Sequence, residues 1–249
     1  MKIRIAYIEE PPFYWTAENG EVAGSDVELA EVILRAMGVS EISYVPTTFE
    51  EFLPGVEEGR WDMNVPIFIS AERQRRVTFS VPVWSLVDGF IVPAGNPRQL
   101  QSYESMAVQS NARLATIAGT IQIDAAKAAG MHAEQIVVFK DQPDAIAALQ
   151  AGKVDAFVGT AVGNRALLQR YPGLDAVSHP LLAGSRAPVG GFSFSKANTA
   201  LTHAVNDELQ RYLGSADHRM RMKNHGITDS EIDGALAARM ATRSGAMPT

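Results

Sequence analysis

The chain has 249 residues, 46% hydrophobic and 20% charged, with a formal net charge of −6 and no cysteine, which suits two modest globular domains or one large one. The acidic balance argues against a nucleic-acid partner, and the missing cysteine excludes disulfides, thiol catalysis and Cys-based metal sites. No apolar run approaches the ~20 residues that span a bilayer.

The chain enters β pattern at once, with Ile3–Ile8 reading as a buried strand. Ser25-Asp-Val-Glu28 has the form of a capping box, and Val27, Ala30, Ile33, Leu34 and Met37 keep helical spacing up to Gly38. Ile42–Val45 reads as a strand, Thr48-Phe-Glu-Glu51 opens a helix that ends near Gly59, and Trp61–Val65 is another strand. Arg73, Arg75 and Arg76 then crowd together just before a strand-like apolar run, an unusual concentration of positive charge in an acidic chain. The alternation predicts an α/β layer fold with mainly parallel sheets.

The pattern repeats. Arg113–Ala118, Ile136–Phe139 and Val154–Val158 read as strands, with helices over Thr120–Ala129 and Asp141–Ala151 between them. FLPGVEEGRWDMNV (52–65) and AIAALQAGKVDAFV (145–158) share one plan, an amphipathic helix, then Gly, a basic residue, an apolar residue, Asp and a strand, so that Gly59 and Asp62 answer to Gly152 and Asp155. Pro/Gly-rich joints lie at VPAGNPRQ (92–99) and GSRAPVGG (184–191). The chain is therefore expected to leave one lobe, build a second and return, with residues 1–93 and 188–249 in lobe 1 and 94–187 in lobe 2. A two-strand hinge and a ligand cleft between the lobes follow from that plan. The return supplies a strand at Gly191–Ser195 and helices near Asn198–Leu213 and Ala216–His225; a polar tail from Thr228 holds one further helix, Glu231–Ala241, and a disordered end.

No nucleotide-binding glycine motif and no G-x-S-x-G elbow occurs. None of the five histidines has close metal-ligand spacing. His218 and His225, seven apart on one helix, read as surface residues. Neither a metal nor a cofactor is expected.

The order and spacing of several stretches carry a family resemblance. EPPFYWTAENGEVAGSDVELAEVI, FEEFLPGVEEGRWDMNV, ISAERQRRVTFSVPVW, TIAGTIQ, AIAALQAGKVDAFVG and HAVNDELQRYL together resemble the type II solute-binding proteins of amino-acid ABC importers, family 3 type, over nearly the whole chain. The resemblance implies an α/β, two-lobed periplasmic-binding-protein-like II fold. It implies that Arg73 enters the cleft and forks onto a ligand carboxylate, a bidentate contact that lysine does not make, close to Ser70, while Arg75 and Arg76 point elsewhere. It implies a second anion clamp from lobe 2, where Gly119 and Thr120 stand at a helix N-terminus; Ile121 occupies a position where relatives often carry a polar residue.

Three departures from the family pattern bear on the ligand. The acidic residue that holds an amino acid's ammonium is replaced by Thr160. The aromatic position before Pro12-Phe13 is Glu10, and its companion on the next helix is Thr48. Phe68 stands where a small polar residue is usual. Glu10 is thus expected to supply the anion for the ligand's cation, with Phe13, Phe68 and Tyr14 or Trp15 supplying aromatic faces. That set suits a delocalised or alkylated cation, in a small zwitterion of the ectoine, betaine or proline-derivative kind. The expected partners are this solute and the membrane permease subunits of an ABC transporter. A monomer is expected, working in the periplasm, with a leader that this sequence does not carry. Two alternatives stand beside this reading. One is a periplasmic cyclohexadienyl-dehydratase-like enzyme in which Glu10 is the general acid. The other is the ligand-sensing module of a receptor.

Overall fold

The computed structural model describes residues 2–181 and 185–243. Its contacts divide the chain into two units, residues 1–47 with 51–86 and 186–249, and residues 48–50 with 87–185. Unit 1 begins with β1 (Lys2–Tyr7), a short ribbon of β2 (Trp15–Thr16) and β3 (Val22–Ala23), α1 (Ser25–Ala36), β4 (Glu41–Pro46), α2 (Phe52–Glu57), β5 (Met63–Phe68), α3 (Ala71–Arg76), β6 (Val77–Phe79) and β7 (Trp84–Ser85). Unit 2 comprises β8 (Asp88–Pro93), α4 (Tyr103–Ala107), β9 (Leu114–Ile117), α5 (Gln122–Ala128), β10 (Ile136–Phe139), α6 (Gln142–Gln150), β11 (Ala156–Thr160), α7 (Ala161–Leu168) and β12 (Leu174–Ser178). The chain returns to unit 1 with β13 (Val189–Ser195), α8 (Thr199–Tyr212), α9 (Ala216–Asn224) and α10 (Asp229–Arg243).

One plan is used twice. The unit 1 sheet runs β4-β1-β5-β13-β6, with β7 also on β13, and the unit 2 sheet runs β10-β9-β11-β8-β12. In each, the first three strands are parallel and the fourth is antiparallel to the third. The repeated Gly–basic–apolar–Asp stretch explains how each third strand is placed. Gly59 and Gly152 end their helices at φ +72° and +65°, the left-handed region that glycine enters most cheaply. Asp62 accepts from the Arg4 amide at 2.8 Å while its own amide donates to the Arg4 carbonyl at 3.0 Å. Asp155 makes the same exchange with Arg113, at 2.8 Å in both directions.

The central strands of unit 2, β8, β9 and β11, are buried on both faces. Phe90, Val92, Leu114 and Val158 pack with Met106 and Ala126 on one side. The alternate residues Ile91, Ala115 and Phe157 pack with Ile146, Leu149 and Leu167 on the other. In unit 1, Ile5, Leu29, Ile33, Leu34, Phe52, Met63, Phe192 and Phe194 are fully enclosed.

Several details differ from the sequence reading. β8 pairs with β11 and β12. The crossings therefore fall at 86/87 and 185/186 rather than at 93/94 and 187/188, because β8 belongs to the unit 2 sheet. The capping box at Ser25 does not form. Gly24 is the N-cap, and Ser25 and Asp26 lie inside α1 with their amides donating to the Pro12 and Phe13 carbonyls, both at 3.0 Å. The helix at Thr48 is a 3-10 turn, Phe49–Glu51, leading into α2. The last helix is longer than expected at both ends, and the disordered end expected after it falls on 244–249, outside the described residues.

Candidate functional site

In unit 1 the residues singled out from sequence meet at the carboxyl ends of β1 and β5. Past β1, residues 10–14 form a tight turn: Glu10 and Tyr14 bridge through their backbones, and the Tyr14 hydroxyl donates to the Glu10 carboxylate at 2.9 Å. Past β5, Ser70 caps α3 by accepting from the Arg73 amide at 3.2 Å. Capping sets the direction of this short helix and turns Arg73 inward. Arg73 is 6% exposed and donates to the Phe68 carbonyl at 2.7 Å, and its charge also reaches Tyr14. Arg75 and Arg76 are exposed; Arg76 pairs with Glu57 and the Arg75 carbonyl accepts from Lys196. Trp84 closes the group, with ring centroids 5.1 Å from Phe68 and 6.2 Å from Phe13. Its indole N–H donates to Asp26 at 3.3 Å.

Asp26 and Trp84 were not anticipated. Asp26 is fully buried, and burial holds its carboxyl well above the ordinary range, with Glu10 pushing the same way. Glu10 keeps some solvent contact, yet burial raises it to about 7 against the pull of the Tyr14 hydrogen bond. Trp15 lies apart, edge-on to His225 at 6.1 Å.

A raised carboxyl pKa makes the folded state hold protons that the unfolded chain releases. The Glu10 contribution is fully present below pH 4.5 and is lost as pH rises to about 7. Glu10→Gln keeps an acceptor for Tyr14 and removes the titration. The ligand-free variant is therefore expected to gain on the order of 2 kcal/mol over the parent at pH 8 relative to pH 5, after allowance for residual solvent contact. Denaturant titrations at the two pH values check this, and an equal difference at both would refute it.

In unit 2 the corresponding strand ends carry Gly119, Thr120 and Thr160. Gly119 turns the chain at φ +79° directly after β9. The expected helix N-terminus at Thr120 is not there. α5 starts at Gln122 with Ile121 as its N-cap, because the Thr120 hydroxyl bonds back to the Ile117 carbonyl at 2.8 Å and holds a separate turn. Thr160 caps α7, its hydroxyl accepting from the Gly163 amide at 3.0 Å. Beside it lies a polar group absent from the sequence reading. Asp88 accepts from the Tyr103 hydroxyl at 2.6 Å and from the Gln122 amide at 2.8 Å, and burial raises its carboxyl.

Two histidines also depart from expectation. His218 is fully buried, its Nδ1 accepting from the Gly214 amide at 3.1 Å, and burial lowers it to about 4. His225 is largely covered and contacts Glu28 at 2.9 Å. His218 packs edge-on against Tyr212 of α8, and His225 meets Trp15 and Glu28 from far back in the chain, partners that a seven-residue spacing does not reveal.

Twin sheets of this order, with polar clusters at the carboxyl ends of the strands, define a two-lobed binding protein of the type II periplasmic class. The chain belongs to the bacterial extracellular solute-binding proteins, family 3, whose profile matches residues 3–217. It is 30% identical over 237 residues to the "Probable amino-acid ABC transporter periplasmic-binding protein y4tE" of Sinorhizobium fredii, covering 92% of this chain and 78% of that one. It is 28% identical over 172 residues to the cyclohexadienyl dehydratase of Pseudomonas aeruginosa, covering 68% of this chain and 62% of the enzyme. In fold it is similar to the crystal structure of EhuB in complex with hydroxyectoine, with a TM-score of 0.85 at 24% identity over 95% of this chain and 91% of that one.

Proposed function

We propose that the protein is the extracytoplasmic receptor of an ABC importer, capturing a small zwitterionic amino-acid-like solute and delivering it to membrane permease subunits. One observation carries the reading: unit 1 gathers a buried guanidinium, a buried-prone carboxylate and four aromatic rings at adjoining strand ends. Arg73 anchors the solute's carboxylate, and Glu10 faces its cation. Phe13, Tyr14, Phe68 and Trp84 offer the ring faces that suit a weakly hydrated cation. The Gly119–Thr120 turn and Thr160 of unit 2 complete the grip. A solute that both units hold favours the closed arrangement by that difference in contacts, as in a flytrap. The name of y4tE supports the transport role, and the hydroxyectoine bound to EhuB supports a cyclic or alkylated zwitterion.

The test is a thermal-shift screen with ectoine, proline, betaines and polar amino acids, followed by calorimetry. A solute bound at ~1,000 times Kd stabilises the fold by about 4 kcal/mol. Because the cation needs Glu10 ionised, affinity is expected to rise roughly tenfold from pH 6 to pH 8, with Glu10→Gln weak and flat across that range. Tight binding of ordinary polar amino acids without binding of cyclic or alkylated zwitterions would overturn the ligand class.

One observation favours a second reading: the Glu10 carboxyl, near neutrality, is matched to proton donation, and a dehydratase is among the relatives. Turnover of a cyclohexadienyl acid by the parent, abolished in Glu10→Gln, would establish it; stable binding without turnover is expected.

A further inference from the structure

Asp88 opens β8, and antiparallel pairing sets it directly across from Thr160, the last residue of β11. Residues opposed in this way present their side chains on the same face. β11 lies beside β9, which runs into the Gly119–Thr120 turn. Three neighbouring strands thus bring Thr120, Thr160 and Asp88 to one end of the unit 2 sheet. The Asp88 carboxylate is held from two sides, by Tyr103 at the start of α4 and by Gln122 at the start of α5. Each of its oxygens takes one neutral donor, and each retains a second acceptor direction. Among the described residues no arginine or lysine pairs with it. His179, whose amide donates to the Asp88 carbonyl, brings no charge, since burial lowers its imidazole to about 4. A half-buried, oriented carboxylate without a cation lacks its natural partner.

We propose that Asp88 is a specificity-determining carboxylate that accepts N–H hydrogen bonds from the solute's cation. The protein then selects solutes whose charged nitrogen carries hydrogen, such as cyclic amidinium or secondary ammonium compounds, over fully alkylated quaternary ones. This rests on the receptor reading above and narrows its ligand class. Tyr103 and Gln122 fix the carboxylate in advance, so little ordering is needed on binding. A quaternary ammonium placed there has no N–H to give and leaves the open acceptor positions dry and unfilled. Sites built to hydrogen-bond a substrate discriminate strongly against analogues that lack the donor.

The experiment is calorimetry on the parent, Asp88→Asn and Arg73→Ala with ectoine, and with the matched pair proline and N,N-dimethylproline. The parent is expected to bind the N–H solutes at least about tenfold more tightly than the quaternary one. Asp88→Asn should weaken the N–H solutes about tenfold and the quaternary one, which loses charge attraction but no hydrogen bond, distinctly less, so that the ratio falls toward one. Equal loss for both classes would mean a merely structural role and overturns the assignment, as does a parent that binds the quaternary member as tightly as its counterpart. If Asp88→Asn does not fold, Asp88→Ser, which also removes the carboxylate, carries the test with the same two outcomes. Absence of binding throughout the panel, or full affinity in Arg73→Ala, overturns the receptor reading and this one with it. Dependence on Arg73 with an unchanged ratio in Asp88→Asn overturns the Asp88 assignment alone.

Discussion

Replacing Arg73 by alanine is expected to lower solute affinity at least about a hundredfold, and replacing it by lysine nearly as far. A planar guanidinium gives a carboxylate two parallel charge-assisted bonds, and losing that fork costs on the order of 3 kcal/mol. The arginine is prepared for this contact. Ser70 caps the short helix that carries it, and the Phe68 carbonyl takes one of its N–H groups. Lysine keeps the charge but not the fork, so it separates geometry from electrostatics. Alanine also leaves the Phe68 carbonyl short of a buried donor, for about 1–3 kcal/mol of stability. Calorimetry with the best solute of the screen measures the first effect and denaturant unfolding the second. Undiminished binding by Arg73→Ala would mean that the guanidinium is structural.

Gly24→Ala is expected to be among the most damaging single changes outside the hydrophobic core, costing about 4 kcal/mol or more. Gly24 sits at φ +134°, and a Cβ there would lie 2.1 Å from the Phe13 carbonyl oxygen. That oxygen cannot retreat without breaking its bond from the Asp26 amide, and the neighbouring Pro12 carbonyl is tied to Ser25. The clash falls on the turn that carries Glu10, Phe13 and Tyr14, so solute binding is expected to fail with stability. Gly20→Ala is the control. Its φ is +82°, but nothing lies within 4 Å of the added carbon, so roughly 1 kcal/mol is expected. Similar denaturation midpoints for the two variants would refute the steric account.

The repeating half of the fold was legible because its signals are local. Helical spacing over Val27–Met37, the Gly–basic–apolar–Asp stretch before each third strand, and β-rich runs such as Ile136–Phe139 all announce themselves within a few residues. β8, β12 and α7 did not. β8 carries Gly89 and ends in Pro93, and α7 holds Gly163 and Asn164, so each looks locally like loop. The site divides in the same manner. Arg73 and Glu10 stand out through the family resemblance of the stretches that carry them. Asp26 and Asp88 become notable only through burial and through partners distant in sequence: Trp84 lies 58 residues from Asp26, and Gln122 lies 34 from Asp88. Thr120 was placed at a helix start because a threonine before such a run usually caps it, and its hydroxyl chose the Ile117 carbonyl instead.

The position of β13 has a consequence for biosynthesis. It sits between β5 and β6 in the unit 1 sheet, and β7 also pairs with it, yet it is made after all of unit 2. While the nascent chain is shorter than about 195 residues, β6 and β7 have no strand to join, whereas the elements of unit 2 have already emerged together. Unit 2 is therefore the first to have all of its strands synthesised, and the unit 1 sheet keeps an open edge until β13 has been made.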